Sequence, residues 1–241
     1  MRVIERPPDR RTRTADPWRD TDVIDERGPR FNQAVTGLVA LLGAVFGWPL
    51  AWALMAGQLV IGLTLGRRFC IPCVAYYVLV QPRFGEGDLE DSRPPRLANK
   101  MGFAFLGLAA LAWWLGSPAV GTVLGLLVAA LALLAASTGF CAGCEIYRLI
   151  ARLRGISPRH HGRIETTDLD GMQGRQAYVE FTHPLCSECH EWERRLSSEP
   201  DPLLKLDVSD RPDLARKYGV AVVPTVLRVA PDGAVLERLA P

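Results

Sequence analysis

The chain has 241 residues, 28 Lys and Arg against 26 Asp and Glu, a net charge of +2 and 49% hydrophobic residues. By themselves these values suggest an ordinary globular protein, and no nucleic-acid partner is expected. The averages conceal two unlike halves, because no Asp, Glu, Lys or Arg occurs from Phe31 to Gly66 or from Met101 to Cys144.

Residues 1–30, "MRVIERPPDRRTRTADPWRDTDVIDERGPR", contain no apolar stretch and no cleavage site, so they are not a signal peptide. Their mixed charge reads as a disordered arm. The charge-free stretches that follow predict an α-helical membrane domain over 31–154 with four spans, at about 32–47, 50–66, 101–116 and 119–138. "GWPLAW" and "LGSPAV" break the spans into two pairs, at Pro49 and Pro118. Every Lys and Arg lies before Phe31, between Arg67 and Lys100, or after Cys144. The positive-inside rule then places both termini and the central loop in the cytoplasm of a bacterial cell, in a multi-pass protein of the inner membrane.

An internal repeat is superposed on the spans. "RRFCIPCVAY" and "TGFCAGCEIY" each set Cys-x-x-Cys where an apolar run ends, and Cys70 and Cys73 lead Cys141 and Cys144 by 71 residues. Gly47-Trp48-Pro49 matches Gly116-Ser117-Pro118, and Asn32 matches Asn99, after small gaps. Each half reads as interfacial Asn, span, Pro turn, span, Phe-Cys-x-x-Cys and an interfacial helix. Two spans per repeat keep both halves in one orientation, which brings both pairs to one depth. The glycines of Gly43-x-x-x-Gly47 and Gly121-x-x-x-Gly125 suit close helix packing, and Gln58 suits an interhelical hydrogen bond.

A Cys at a helix N-terminus has its thiolate favoured by the dipole. Residues three apart share a helix face, so each pair can close on itself or offer two sulfurs to a shared metal. Three readings of Cys70, Cys73, Cys141 and Cys144 stay open: a second redox site, a four-cysteine zinc or iron–sulfur site, or inert packing residues. A reducing cytoplasm argues against permanent structural disulfides there.

Residues 155–176 read as a polar, Gly-rich linker holding His160, His161 and a short strand near Ile164–Thr167. From 177 to 241 a small α/β domain is expected: a strand into "PLCSECHEW", a helix, the strand "LLKLDV", the helix "RPDLARKYGV", and a hairpin turning at Asp232-Gly233. His183 and His190 flank the third Cys pair.

This last domain resembles thioredoxin in its strand, loop, Cys-x-x-Cys and helix order and in "KYGVAVVPT". The resemblance implies that Pro224 is cis, with Val223 offering backbone bonds to a bound partner. It also implies that Cys186 is an exposed attacking thiolate, that Cys189 resolves the mixed disulfide, and that Glu180 accepts the proton of Cys189. Lys205 matches the lysine that partners this acid. The chain departs from the pattern in Leu185 before the first Cys, in Ser187-Glu188 between the pair, and in lacking the last helix. Glu188 adds negative charge beside the thiolate. The membrane half, over about 24–155, resembles an uncharacterised bacterial integral-membrane family, domain of unknown function 4395, in "IDERGPRFNQ" and "FCAGCEIY". That likeness carries no activity.

The expected function is membrane thiol–disulfide oxidoreduction, in which the thioredoxin-like pair exchanges electrons or sulfur with the two membrane pairs. Expected partners are membrane lipid, cytoplasmic protein thiols or a persulfide carrier, and a quinone or other membrane redox partner. No cofactor is required by this reading. The alternatives are a zinc or iron–sulfur protein whose thioredoxin-like domain maintains the ligand thiols, and a plain anchor for a thioredoxin.

Overall fold

A computed structural model describes residues 15–154, 162–169 and 174–240. His160, His161 and residues 1–14 of the charged arm lie outside the described residues; the rest of the arm, expected to be disordered, includes a short strand and the first turn of a helix. The chain forms two units: a helical one of residues 17–87 and 92–147, and an α/β one that includes residues 88–91 and the chain from 148 onward.

The helical unit opens on a short strand, β1 (Val23–Asp25), and four long helices follow: α1 (Arg27–Val45), α2 (Pro49–Thr64), α5 (Arg93–Trp114) and α6 (Pro118–Thr138). Between α2 and α5 run α3 (Ile71–Ala75), a π-helical turn at Tyr76–Val80, and α4 (Gln81–Phe84). α1 begins ahead of the charge-free stretch because Asp25 Oδ1 accepts the Arg27 N–H at 3.0 Å, which serves an otherwise orphaned helix-start donor. α5 likewise starts early, at Arg93, with Pro in its first turn, where a missing N–H costs nothing.

The two inter-helix turns are copies of each other. Trp48 N–H bonds Gly43 C=O and Phe46 N–H bonds Leu42 C=O; Ser117 N–H bonds Ala112 C=O and Leu115 N–H bonds Leu111 C=O. Gly47 and Gly116 both take positive φ, 59° and 86°, as this helix-ending turn requires. Both next helices then begin with Pro. Asn32 Nδ2 donates to Asn99 Oδ1 at 3.2 Å, so the two matched asparagines meet.

α1 packs on α6, and α2 on α5. Their core centres on Trp52, fully buried among Ala40, Met55, Leu106, Ala109 and Ala129. Trp52 Nε1 donates to Ala40 C=O at 3.0 Å, satisfying a donor that burial would otherwise penalise. Gly43 and Gly125 flank the indole, and a Cβ at either would lie 2.5 or 2.6 Å from it. Both glycines are therefore packing residues. Outward, Leu38, Phe46, Leu54, Leu115 and Val123 are exposed. α5 (22 residues) and α6 (21 residues) are long and apolar enough to cross a membrane; α2 is apolar but has 16 residues.

In the α/β unit the sheet order is β4-β3-β5-β6, with β3 (Ala177–Thr182) parallel to β4 (Leu203–Asp207) and antiparallel to β5 (Thr225–Val229), which pairs antiparallel with β6 (Val235–Arg238). Strand alternation splits β3 between two cores. Val179 and Phe181 join Leu214 and Tyr218 from the region of α9 (Pro212–Lys217). Tyr178 faces Leu196 and Trp192 of α8 (Ser187–Leu196). The short strand expected at Ile164–Thr167 is instead a lone bridge from Arg163 to Ala234, followed by a 3-10 turn at Thr166–Asp168. Asp168 in that turn bonds Lys217 and Tyr218, which gives the segment a side-chain anchor in place of a ladder.

That anchor sets a pH dependence. Burial raises the Asp168 carboxyl, but the bonds from Lys217 and Tyr218 outweigh it and hold the group below its ordinary value. A lowered folded pKa adds stability above the unfolded value, about 4, and that stability is lost as pH falls through the folded pKa. Asp168→Asn is therefore expected to cost about 1–2 kcal/mol at pH 7. The gap to the natural protein should close below about pH 4, read by thermal melts at each pH. A gap independent of pH would remove the carboxylate from this account.

Candidate functional site

Three cysteine pairs share one local geometry. Cys70, Cys141 and Cys186 each stand immediately before or at the start of a helix: α3, α7 (Ala142–Arg154) and α8. In each, the first sulfur accepts the N–H of the second cysteine, at 3.3 Å for Cys70–Cys73, 3.3 Å for Cys141–Cys144 and 3.2 Å for Cys186–Cys189. Sulfur thus takes the place of the oxygen that usually caps a helix start. Each pair is closed as a disulfide, with Cα atoms 5.2, 5.2 and 5.3 Å apart. An N–H aimed at the first sulfur, together with the positive end of the helix, favours that sulfur's thiolate once the bond is reduced.

The dipeptide inside each pair follows from its neighbours. Gly143, between Cys141 and Cys144, lies against α5, where a Cβ would sit 2.7 Å from the Ala98 Cα. The equivalent position in the first pair is Pro72, in the first turn of α3, a place that suits its fixed φ. Gly62 of α2 gives Cys70 its seat, since a Cβ there would come within 3.1 Å of the cysteine Cβ.

Among the described residues of the helical unit, two cavities border these cysteines. The larger, about 290 Å³, is lined by Cys70, Cys73, Asn32, Gln58, Arg67 and Arg96. The smaller, about 100 Å³ and mostly apolar, reaches Cys141 past Thr36, Leu59, Phe105 and Val128. Gln58 donates from α2 to the Phe69 carbonyl at 3.0 Å, holding the turn that precedes Cys70. The two pairs do not gather into one four-sulfur cluster: among the described residues, no three His, Cys, Asp or Glu side chains lie where one metal ion could bind them together.

Sequence reasoning passed over Asp25, which is 2% exposed. Its Oδ2 accepts the Tyr76 hydroxyl at 2.9 Å, the Gly87 N–H at 3.0 Å and Gln81 Nε2 at 3.3 Å. One carboxylate therefore ties the chain after Cys73 to the start of α1. Burial, reinforced by the bond to Asp25, pushes the Tyr76 hydroxyl well above its ordinary value, so Tyr76 stays a donor. The only hint in the sequence was that Asp25 falls inside "IDERGPRFNQ".

In the α/β unit, the Val223–Pro224 peptide bond is cis. Cys186 and Cys189 pack with Val223. Cys186 is fully buried in the closed pair, where exposure was expected. In the closed pair it packs with Cys189 and Val223, and the Leu89 N–H bonds the adjacent Ser187. Glu180 is fully buried on β3, and alternation puts it on the Tyr178 face that α8 covers. Lys205 lies opposite Glu180 in register, but its ammonium bonds Glu193 of α8 at 2.8 Å. The partnership expected with Glu180 gives way to an acid one helix out, nearer solvent, where a lysine keeps its hydration. His183 is buried, and its Nδ1 accepts the Leu185 N–H, shaping the loop into Cys186.

Fold and site together define a two-unit protein in which an apolar helical unit presents two capped Cys-x-x-Cys pairs and a small α/β unit presents a third. The chain belongs to the family described as domain of unknown function DUF4395, which matches residues 24–152 and so takes in Asp25 and both pairs of the helical unit. No curated protein and no solved structure matches the chain.

Proposed function

We propose that the chain is a membrane-anchored thiol–disulfide oxidoreductase. The observation that carries this reading is the shared geometry of the three pairs, each with its first sulfur at a helix start under the N–H of the second. That arrangement lowers a thiol pKa and suits exchange. The strand order, with Cys186 between β3 and α8, supports a thioredoxin-like unit that takes electrons or sulfur to or from protein thiols or a persulfide carrier. Cys70–Cys73 and Cys141–Cys144 then serve as the membrane-side partners. The cavity beside Cys70 is the place where a lipid-soluble acceptor such as a quinone would meet them. Electrons balance: a dithiol becomes a disulfide as the acceptor takes two electrons and two protons.

The membrane reading extends to four spans, α1, α2, α5 and α6, supported by the charge-free stretches and the exposed apolar side chains. The absence of Lys and Arg from both inter-span turns supports a bacterial inner-membrane protein with both termini cytoplasmic. A membrane-impermeant maleimide applied to intact cells is expected to leave a cysteine introduced at the exposed Ser198 (Ser198→Cys) unlabelled until the cells are permeabilised. Strong labelling from outside would invert the topology.

The relay itself has a direct test. Cys189→Ser combined with Cys73→Ser or Cys144→Ser leaves Cys186 and one membrane-side cysteine each without its resolving partner. With diamide added to take up the two electrons and two protons, the two lone thiols should then join as a cross-link from Cys186 to Cys70 or Cys141, seen as a disulfide-joined peptide by mass spectrometry. Absence of both cross-links would reduce the helical unit to an anchor.

A further inference from the structure

Residues 88–91 belong to the α/β unit although they lie in sequence between α4 and α5. Two hydrogen bonds from their strand, β2 (Leu89–Asp91), reach to either side of the Cys186–Cys189 pair, at Ser187 and Val223. The Leu89 N–H donates to Ser187 Oγ at 2.9 Å, inside the Cys-x-x-Cys itself. The Val223 N–H donates to Asp91 Oδ2 at 3.0 Å, a buried bond to the residue that precedes Pro224. Leu89 and Asp91 are 7% and 5% exposed, and both cysteines have no exposed surface.

A thiol or disulfide without exposed surface cannot meet a partner's sulfur. The Val223 N–H, the Ser187 hydroxyl and the apolar Leu185 and Val222 form a surface suited to an extended strand with an apolar residue and, two positions on, a carboxylate. "Leu89-Glu90-Asp91" supplies both. We infer that Leu89–Asp91 is a built-in occupant of the α/β unit's partner-binding surface, so that a partner gains Cys186 only by displacing it. A partner that competes well would present the same pattern, an extended segment with an acidic side chain for the Val223 N–H. This inference rests on the reading of Cys186 as an exchanging sulfur, but its test measures access alone, so it can fail while exchange stands, and the reverse.

The experiment uses the full chain in detergent. The Cys186–Cys189 disulfide is reduced with a phosphine, the thiols are quenched by alkylation at intervals, and the Cys186 peptide is quantified by mass spectrometry, with the Cys141–Cys144 peptide as reference. Asp91→Ala removes the carboxylate that seats the segment and should speed reduction at Cys186 about tenfold or more. Ser187→Ala removes the other contact, keeps a good helix former at the start of α8, and should speed it about threefold. Amide exchange guards the comparison: in Asp91→Ala the Val223 amide should lose protection while those of Val179 and Val226 in β3 and β5 keep it. If β3 and β5 also open, the Ser187→Ala rate decides. Rates within twofold of the natural chain in Ser187→Ala and in a folded Asp91→Ala would overturn the inference.

Discussion

Cys189→Ser is expected to trap the α/β unit on its partner as a stable mixed disulfide, while Cys186→Ser traps nothing and abolishes exchange at this pair. The asymmetry follows from position. Cys186 Sγ stands at the head of α8 under the Cys189 N–H, where the helix dipole favours negative charge on sulfur. Cys189 sits one turn in, on the inner side of α8, and is fully buried. In the proposed order the Cys186 thiolate attacks a partner disulfide, one partner sulfur leaves as thiolate, and the S–S bond now joins the two proteins. Cys189 gives up its proton, with Glu180 as the proposed acceptor, and attacks Cys186, so the partner departs as a dithiol and the pair is left oxidised. Removing Cys189 halts the cycle at the joined state. Non-reducing gels and peptide mass spectrometry after thiol quenching read the outcome. Equal trapping by the two variants would reverse or dissolve the assignment, and an unchanged resolving rate in Glu180→Ala would remove Glu180 from the mechanism.

Asp25→Ala is expected to destabilise the helical unit by about 3–5 kcal/mol. The carboxylate takes four donors, the N–H groups of Arg27 and Gly87, the Tyr76 hydroxyl and the Gln81 amide, and it is almost wholly buried. Deleting it leaves those donors inside the protein without their acceptor, which costs more than the bonds themselves contribute. Asp25→Asn keeps the shape, and with its amide oxygen toward Tyr76, Gln81 and Gly87 its NH2 opposes only the Arg27 N–H, so it should recover part of the loss. A denaturation series in detergent, followed by helical circular dichroism, measures the loss. Because Gly87 and Tyr76 frame the chain beyond Cys73, faster reduction of Cys70–Cys73 should accompany it. A loss under about 1 kcal/mol would show that water serves these donors well enough.

The sequence made the long-range patterns legible and left most individual partnerships unread. The charge-free stretches located the apolar helices α1, α2, α5 and α6, because burial or lipid exposure of a whole helix leaves its mark on every residue. The paired cysteines announced their helix starts, since capping is a matter of three or four residues. Boundaries set by distant groups escaped: α1 starts at Arg27, whose N–H Asp25 accepts, and Asp25 is fixed by donors 51 to 62 residues away. The cover over Cys186 escaped for the same reason, as Leu89 and Asp91 reach Ser187 and Val223 across 98 and 132 residues. Lys205 was read from the likeness to thioredoxin; register does set its backbone opposite Glu180, but its long, flexible side chain bonds Glu193.

The bond between Asn32 and Asn99 joins matched positions of the two halves, yet one amide can give its hydrogen only if the other receives it. Two copies of a sequence pattern that meet through a single directed bond cease to be equivalent at that point. Asn32 becomes the giving half and Asn99 the receiving half, and a reversal would require both amide groups to turn over in concert. The unequal chambers beside Cys70 and Cys141, about 290 and 100 Å³, lie on either side of this broken likeness. A duplicated pattern whose halves part in this way gives its sulfur pairs unlike surroundings, a larger chamber beside Cys70 and Cys73 and a smaller, mostly apolar one beside Cys141.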